Sequence, residues 1–444
     1  MRDTPGRHVR LPVLTIEKLV PGGAGFCRLP DGRPAFVPGA LPGDRVRVGS
    51  LADKKGYVEA TAFELEAPGP ERVEPPCSIA APCGGCDWMA LPLAAQLRYK
   101  ASLVAEALAR TGRLELPVPP EVVSAGDPLG YRLRVRLHVD EVGRVGFFGP
   151  RSREIVEVAD CLVVAPELRV AVRALAELAM PERATLGEYF CALDLRAVPG
   201  EGGVELELEP REGVRMRERA VEALVRALGA SARVGFSTRR RAGLRRYELP
   251  GGGFLRVPSG GFTQVNWAVN AALVAAVVSG AERRGAKSFL DLYAGVGNFS
   301  VPLARAGLTG TAVEVEAGSV AALREALREQ ALAGLDVVAG DVARALGRLR
   351  GPRKGVDLAL LDPPRAGAKE AIAPLILLEP KTIAYVACDP VTLARDLRRL
   401  VDAGWGLAAV QCFDMFPQTH HVETLAWLER AGGVRGRGRG RGRA

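Results

Sequence analysis

No run of 18 or more apolar residues occurs in this 444-residue chain, so no membrane span is expected. A charged-then-apolar leader is missing as well, which makes a cytoplasmic location the expectation. Without a secretory context, the eight cysteines are not read as a disulfide framework, and metal ligation or catalysis is expected of them instead. Apolar material is ample: 48% of residues are hydrophobic, enough to bury the cores of two to four domains. The formal net charge is +9, and the terminal RGRGRGRGRA supplies five of the arginines, leaving +4 for the rest. A basic balance of this kind favours a polyanionic partner.

Residues 12–65 divide into short apolar runs separated by turn chemistry, VLTIEKLV, PGGAG, FCRLPDGRPAFVPG, DRVRVGSL and GYVEATAFEL, a spacing that predicts a small β-barrel. GGAGFCRLPDGRPAFVPGALPGD followed by a VRV strand resembles a TRAM domain, an OB-like RNA-binding module. Arg45, Lys54 and Lys55 suit phosphate contacts there. After a proline-rich linker, PPCSIAAPCGGCDW presents Cys77, Cys83 and Cys86, and VEVADCLVV presents Cys161. Four thiolates complete either a tetrahedral zinc site or a [4Fe-4S] cube, and the spacing leaves both open. Cys27, Cys191 and Cys412 have no such neighbours and are expected in cores.

LAAQLRYKASLVAEALARTG (93–112) places Leu97, Ala101, Val104 and Leu108 at helical spacing, with Lys100, Glu106 and Arg110 off that stripe. From there to about 255, YRLRVRLHV, RVGFFG, GGVELELE and ARVGF alternate as strands, with helical stretches at 165–180 and 215–228; a mostly antiparallel domain is expected. Arg132, Arg134 and Arg136 share one strand face, suited to a phosphate backbone or to ordinary solvation. The run Arg239, Arg240, Arg241, Arg245 and Arg246 is open to the same two readings.

Beyond 256, strands alternate with helices, as in a doubly wound parallel sheet. SFLDLYAGVGNFS gives a strand and a turn at Gly295 and Gly297, but the third glycine of a dinucleotide fingerprint is missing; Ser300 stands there. Glu314 ends TAVEVE, where a carboxylate can accept from ribose hydroxyls; Asp341 follows VVAGD's strand and Asp362 follows LALL. Polar groups at successive strand ends point to a bound nucleoside. Cys388 closes AYVAC and meets a strand-breaking Asp389-Pro390, and Glu423 lies in the irregular DMFPQTHHVET.

DLYAGVGNFS, LLDPPRAG, YVACDP and DMFPQTHHVET, with FTQVN at 262–266, resemble the RNA uracil-5-methyltransferases of the TrmA and RlmD family. The fold implied is the α/β Rossmann-like class I S-adenosylmethionine (SAM) methyltransferase. The cysteine pattern is similar to that of the iron-sulfur-containing branch, which implies a [4Fe-4S] cluster on Cys77, Cys83, Cys86 and Cys161. By the same resemblance, Gln264, Tyr293, Asn298, Glu314, Asp341 and Asp362 contact SAM, Cys388 is the nucleophile and Glu423 the base. Uracil carbon 5 is too weakly nucleophilic to take a methyl group until a thiolate adds at carbon 6, and a base must then remove the carbon 5 proton. Phe262 is a candidate stacking platform for an extruded base, or a core phenylalanine. Two absences bear on substrate: no aromatic residue follows the prolines of DPPR, unlike amino-group methyltransferases, and no cysteine lies near Asp362, unlike RNA cytosine-5 enzymes. Leu133 stands where relatives often have asparagine, in the domain expected to choose the RNA site.

The expected organisation is a TRAM-like barrel at 1–70, a central domain at 71–92 and 120–255, a methyltransferase domain at 93–119 and 256–431, and a disordered RG tail at 432–444. A monomer acting on 23S ribosomal RNA is expected, with a transfer RNA enzyme or a non-catalytic RNA-binding protein as alternatives.

Overall fold

The computed structural model describes residues 13–430 apart from 200–202, 215–216, 233–235, 239–242 and 350–354. Arg239, Arg240, Arg241 and the RG repeat lie outside the described residues.

The N-terminal runs form a six-stranded sheet in the order Val13–Thr15, Arg45–Lys54, Tyr57–Ala67, Pro34–Val37, Gly25–Arg28, Lys18–Leu19. Strict alternation sends Cys27, Ala35, Val37, Val46, Val48 and Val58 into one small core. Strands Ile155–Glu157, Val145–Phe148, Arg134–Val139, Phe190–Ala197, Val204–Pro210 and Phe236–Thr238 form the central sheet, antiparallel except for the last pair. Helices Pro166–Ala176, Met180–Tyr189 and Glu218–Ala232 share its core.

The catalytic sheet uses strands β1 (Ser288–Leu292), β2 (Thr309–Glu314), β3 (Leu335–Ala339), β4 (Leu358–Leu361), β5 (Thr382–Ala387), β6 (Trp405–Phe413) and β7 (Glu423–Arg430). Their order is β3-β2-β1-β4-β5-β7-β6, with the short Val122–Val123 beyond β6. The first five are parallel, and β7 is inserted antiparallel between β5 and β6. Unbroken apolar runs such as LALL and TIAYVA are buried throughout because helices cover both faces, giving two separate cores. The domain boundary expected at 120 shifts: Val122–Val123 pairs with Cys412 and Phe413 and so belongs to the catalytic sheet.

Helix α1 (Leu93–Ala107) continues as a wider turn to Gly112 and packs Val104 and Leu108 against the catalytic core. One sequence expectation fails here. Lys100 does not face solvent: it and Asp414 are wholly buried and ion-paired, and Lys100 Nζ also donates to the Phe416 carbonyl (3.0 Å). Burial lowers the lysine's pKa, opposed first by Asp414 and then by Asp87. Gln96 on the same helix accepts from the Gln418 N–H (2.9 Å) and donates to its side-chain carbonyl (2.9 Å). The helix therefore holds residues 414–418 in place although more than 300 positions separate them (|i−j| = 314). Lys100→Met leaves the Asp414 charge buried and unpaired, and should lower unfolding free energy by about 3–5 kcal/mol. The urea midpoint is the readout; Asp414→Asn added to Lys100→Met should recover part of the loss, and an unchanged midpoint in the single variant would refute the pairing's role.

Candidate active site

All parallel strands present their last residues at one edge of the sheet, and β7, running the other way, presents its first residue there. That edge gathers Tyr293 after β1, Glu314 at the end of β2, Asp341 after β3, Asp362 after β4, Cys388 after β5 and Glu423 at the start of β7. In the β5–β7 ladder Ala387 pairs with Thr424, so one further step sets Cys388 opposite Glu423.

The turn after β1 is strained in a directed way. Tyr293 has φ +66°, rare for a side chain of its size, and Gly295 and Gly297 are also left-handed. At Gly297 a Cβ would lie 2.5 Å from Leu323 Cδ1, so a larger residue would have to displace that side chain as well as hold a left-handed backbone. Glu314 is held beneath this turn: one oxygen accepts from Gly295 N–H (2.8 Å), the other from Val315 and Glu316 N–H (2.8 and 2.7 Å). Ser300 occupies the missing-glycine position because its hydroxyl donates to buried Asp291 (2.5 Å). Sequence reasoning passed over Asp291, whose second oxygen is buried without a partner and whose pKa is pushed up to about 7, first by burial. Asn298 and buried Asn270 exchange amide hydrogen bonds (2.9 Å each), so this side chain faces its neighbour and braces the turn. Asp341 is exposed and accepts from Arg344 N–H (3.0 Å), capping the following helix. Gln264 is buried on the loop that leads into helix α2 (Trp267–Arg283), which Asn266 caps through Val269 N–H (3.2 Å). Phe262 on the same loop is 67% exposed, which removes the core reading.

Cys388 sits where β5 gives way to helix α3 (Pro390–Asp402). Asp389 caps that helix through Thr392 N–H (2.7 Å) and Pro390 fills a first-turn position, so the strand ends at the thiol for a local reason. Burial pushes the Cys388 thiol up to about 11; Glu423 adds to this and Arg365 opposes it. Glu423 is 3% exposed and held well above the ordinary carboxylate range by burial and by Asp362, again with Arg365 opposing. Burial raises Asp362 to about 7. A cavity of about 130 Å³ opens onto Cys388, walled by Pro21 and Gly22 of the N-terminal sheet, Leu103, Arg365 and His421. His421 Nε2 lies 3.4 Å from Arg365, and its burial lowers its pKa to about 4, so it is neutral near pH 7. The sequence marks Arg365, His420 and His421 without a role in the site and passes over Asp87, since nothing local shows them converging.

A second cavity, about 390 Å³, is bordered by Cys77, Cys83, Cys86 and Cys161 together with Arg132 and Phe147. Burial raises the thiol pKa values of Cys83, Cys86 (to about 12) and Cys161, with neighbouring thiols of the set adding; Val163 and Val164 N–H groups favour the Cys161 thiolate. Among the described residues no three His, Cys, Asp or Glu side chains converge closely enough to hold a single metal ion. All four cysteines line this one cavity, which Arg365, Phe416 and His421 also border. Cys27 and Cys412 are buried as expected, but Cys191, near the start of an interior strand, is only half-buried.

The cysteine loop is wired to the strip that carries Glu423. Asp87, next to Cys86, accepts from His420 N–H (3.1 Å) and pairs with His420 Nδ1 (2.5 Å), and Trp88 N–H donates to the Gln418 carbonyl (3.0 Å). Gly23 presses into this joint: a Cβ there would lie 2.3 Å from Asp87 Oδ2. Of the arginine stripe, Arg134 makes a two-pronged bond with Asp194 (2.7 Å each) and Arg136 pairs with Glu209, so two of the three are neutralised across the sheet. Arg245 and Arg246 pair with Glu205 and Glu248. No described helix is long and apolar enough to cross a membrane.

A sheet ordered β3-β2-β1-β4-β5-β7-β6, with a glycine turn and a carboxylate at adjacent strand ends, defines a class I SAM-dependent methyltransferase. The comparisons agree. A family model described as tRNA (Uracil-5-)-methyltransferase matches residues 253–431, and a TRAM domain model matches 7–63. An "Uncharacterized RNA methyltransferase" of Streptomyces avermitilis is 36% identical over 92% of this chain and 96% of its own. The 23S rRNA (uracil(1939)-C(5))-methyltransferase RlmD of Chromohalobacter salexigens is 34% identical over 94% and 89%. The solved Pyrococcus abyssi tRNA (uracil-54, C5)-methyltransferase, in complex with S-adenosyl-L-homocysteine, superposes with a TM-score of 0.71 at 24% identity, over 94% of this chain and all of that one, a likeness of fold. The chain belongs to the SAM-dependent RNA uracil-5-methyltransferase family.

Proposed function

We propose that this enzyme methylates carbon 5 of a uridine in 23S ribosomal RNA through a covalent adduct between Cys388 and carbon 6 of the base. The observation that carries the reading is the β5–β7 register, which sets Cys388 opposite Glu423 beside Asp362. SAM, when bound, supplies an electrophilic methyl group. Glu314, Gln264, Tyr293, Asn298, Asp341 and Asp362 are the residues that would hold it: Glu314 retains an acceptor site on Oε2 for a ribose hydroxyl, and Asn298 acts by bracing the glycine turn. Cys388 adds as thiolate to carbon 6, the ring electrons move to carbon 5, and carbon 5 would take the methyl group as the methyl–sulfur bond of SAM breaks to leave a neutral thioether. Glu423 then removes the carbon 5 proton, the double bond re-forms, and the carbon–sulfur bond breaks with return of the thiolate. A carboxylate with a raised pKa is a stronger base than an ordinary one, which suits proton removal from carbon.

Ribosomal rather than transfer RNA is favoured by the relatives named for 23S uridine 1939 and by the accompanying TRAM domain. A transfer RNA substrate is the second reading, supported by the fold likeness to the Pyrococcus enzyme. Cys77, Cys83, Cys86 and Cys161 are the proposed ligands of a [4Fe-4S] cluster, a reading supported by the four thiols lining one cavity while no three of the described ligand-type side chains converge on a single ion. With radiolabelled SAM and purified RNAs, label should enter one 23S fragment, and mass spectrometry should locate 5-methyluridine in it. Label confined to transfer RNA would overturn the ribosomal assignment. Anaerobically purified protein should carry about four irons per chain; stoichiometric zinc without iron would overturn the cluster.

A further inference from the structure

The loop that carries Asp362 and Arg365 is held by the helix that begins just after the nucleophile. LDPPRAGA makes one tight turn of its own, from Gly367 N–H to the Pro364 carbonyl (2.8 Å), and beyond it the backbone turns to side chains of α3. The Thr392 hydroxyl lies 3.2 Å from both the Arg365 and the Asp389 carbonyls, Arg395 Nη2 donates to the Ala366 carbonyl (2.9 Å), and Arg399 donates to that of Lys369 (2.8 Å). Thr392, Arg395, Asp396 and Arg399 stand at i, i+3, i+4 and i+7, so one face of the helix makes every contact. Asp396 is the centre of that face. It is wholly buried, where a helical aspartate ordinarily faces water. Its Oδ2 accepts from the Ala368 N–H (2.8 Å) and from the Tyr385 hydroxyl of β5 (2.8 Å), and its Oδ1 accepts from Arg395 Nε (2.9 Å). Burial first, and then Asp396, raises the Tyr385 pKa and keeps the hydroxyl a donor. Gly367 closes on the joint: its φ is +79°, and a Cβ there would lie 2.5 Å from Arg395 Nη2 and 2.6 Å from Asp396 Oδ2. A buried carboxylate is costly unless bonded partners replace water, and an apolar side chain would fill the space at less cost. What Asp396 adds is a fixed place for Arg395 and for the Ala368 N–H.

The consequence reaches the thiol. Cys388 is faced by the acids Glu423, Asp362 and Asp389 and by the Arg365 cation, whose guanidinium borders the same cavity beside His421. Helix α3 is therefore tied at its first turn to the nucleophile's strand end, through Asp389, and along one face to the loop of the opposing cation. We infer that Asp396, acting with Arg395, is a positioning residue for methyl transfer: it fixes the backbone at 365–368 and through it holds Arg365 beside Cys388. The inference rests on the covalent reading of Cys388 and adds the group that aligns its surroundings.

The test follows iodoacetamide alkylation of Cys388 in the full chain at about pH 8, read by peptide mass spectrometry, beside kcat for RNA methylation. Asp396→Asn removes the carboxylate charge at nearly constant volume. It should slow alkylation about threefold, because Arg365 withdraws and leaves the acids around the thiol less opposed, and it should lower kcat about tenfold. In an Arg365→Ala background the same substitution should leave the alkylation rate where it was, since nothing remains to be positioned. Should Asp396→Asn fail to fold, Arg395→Gln, at a partly exposed position, breaks the same joint and carries the same expectation. Faster alkylation, or equal slowing with and without Arg365, is what a merely structural role would give, and either overturns the inference. Unchanged alkylation in an enzyme whose methylation requires Cys388 sinks the positioning role alone. Arg365-dependent slowing in a protein that methylates RNA without Cys388 leaves the positioning of Arg365 standing and removes the covalent reading.

Discussion

Cys388→Ala is expected to abolish methyl transfer to RNA, by at least about 10⁴-fold, while leaving SAM binding intact. The reason is chemical. Without a thiol to add at carbon 6, carbon 5 never becomes electron-rich, and no other described nucleophile lies on that stretch of the sheet edge: the neighbours are Asp362, Asp389 and Glu423. The thiol's environment adds a signed pH dependence. Burial and Glu423 push Cys388 up to about 11, so in the free enzyme the thiolate is scarce at neutral pH and grows as pH rises. Alkylation of Cys388 by iodoacetamide, followed by peptide mass spectrometry, should therefore accelerate about tenfold per pH unit between pH 7 and 10. Arg365→Ala, removing the cation that lowers the thiol's pKa, should slow it at fixed pH, and Glu423→Gln should speed it. Methylation by Cys388→Ala at the parent rate would end the covalent mechanism.

Glu423→Gln is expected to fail later in the sequence. The thiolate can still add and the methyl group can still move, but the carbon 5 proton has no base to accept it, so enzyme and methylated RNA remain joined through sulfur. Turnover should fall by about 10²–10⁴-fold, and a band of protein bound to RNA should survive denaturing electrophoresis. That band should be missing with Cys388→Ala. A fall in turnover with no trapped complex would assign Glu423 to holding the strip rather than to proton removal. The distinction is needed because Glu423 occupies a heavily braced segment: Lys100 and Gln96 from helix α1, Tyr131 through the Pro417 carbonyl (3.1 Å), and Asp87 through His420 all grip residues 414–420. A catalytic carboxylate that is buried and raised in pKa loses its task if its backbone drifts, and three parts of the chain share the work of keeping it still.

The braces explain why the cysteine loop lies close to an active site whose proposed chemistry involves no electron transfer. Asp87 and Trp88 follow Cys86 directly, and both bond to the strip that leads to Glu423. Whatever orders the four thiols also orders those two contacts.

Much was legible in local sequence because turn and strand-end chemistry is local. The glycine turn at 295–297 needs left-handed backbone, the Asp389-Pro390 pair ends one strand and starts a helix, and the apolar runs before Glu314, Asp362 and Cys388 are buried on both faces. Other readings failed for want of a distant partner. Lys100 looks solvated in a helical repeat and is buried because Asp414 meets it. Arg134 and Arg136, open in the sequence to a phosphate or a solvated reading, meet Asp194 on the adjacent strand and Glu209 on the strand beyond it. Val122–Val123 reads as part of the central domain and completes the catalytic sheet.

By itself, then, the sequence determined which reactive groups stand at which strand ends, and through them the family, since those motifs depend on residues a few positions apart. Only the tertiary structure decided that Cys388 faces Glu423 across an antiparallel register, that Cys161 joins the loop of Cys77, Cys83 and Cys86 around one cavity, and that a hairpin of the N-terminal sheet walls the thiol's pocket. Register, burial and charge pairing are set by whichever segments pack together, and spacing along the chain carries no record of that.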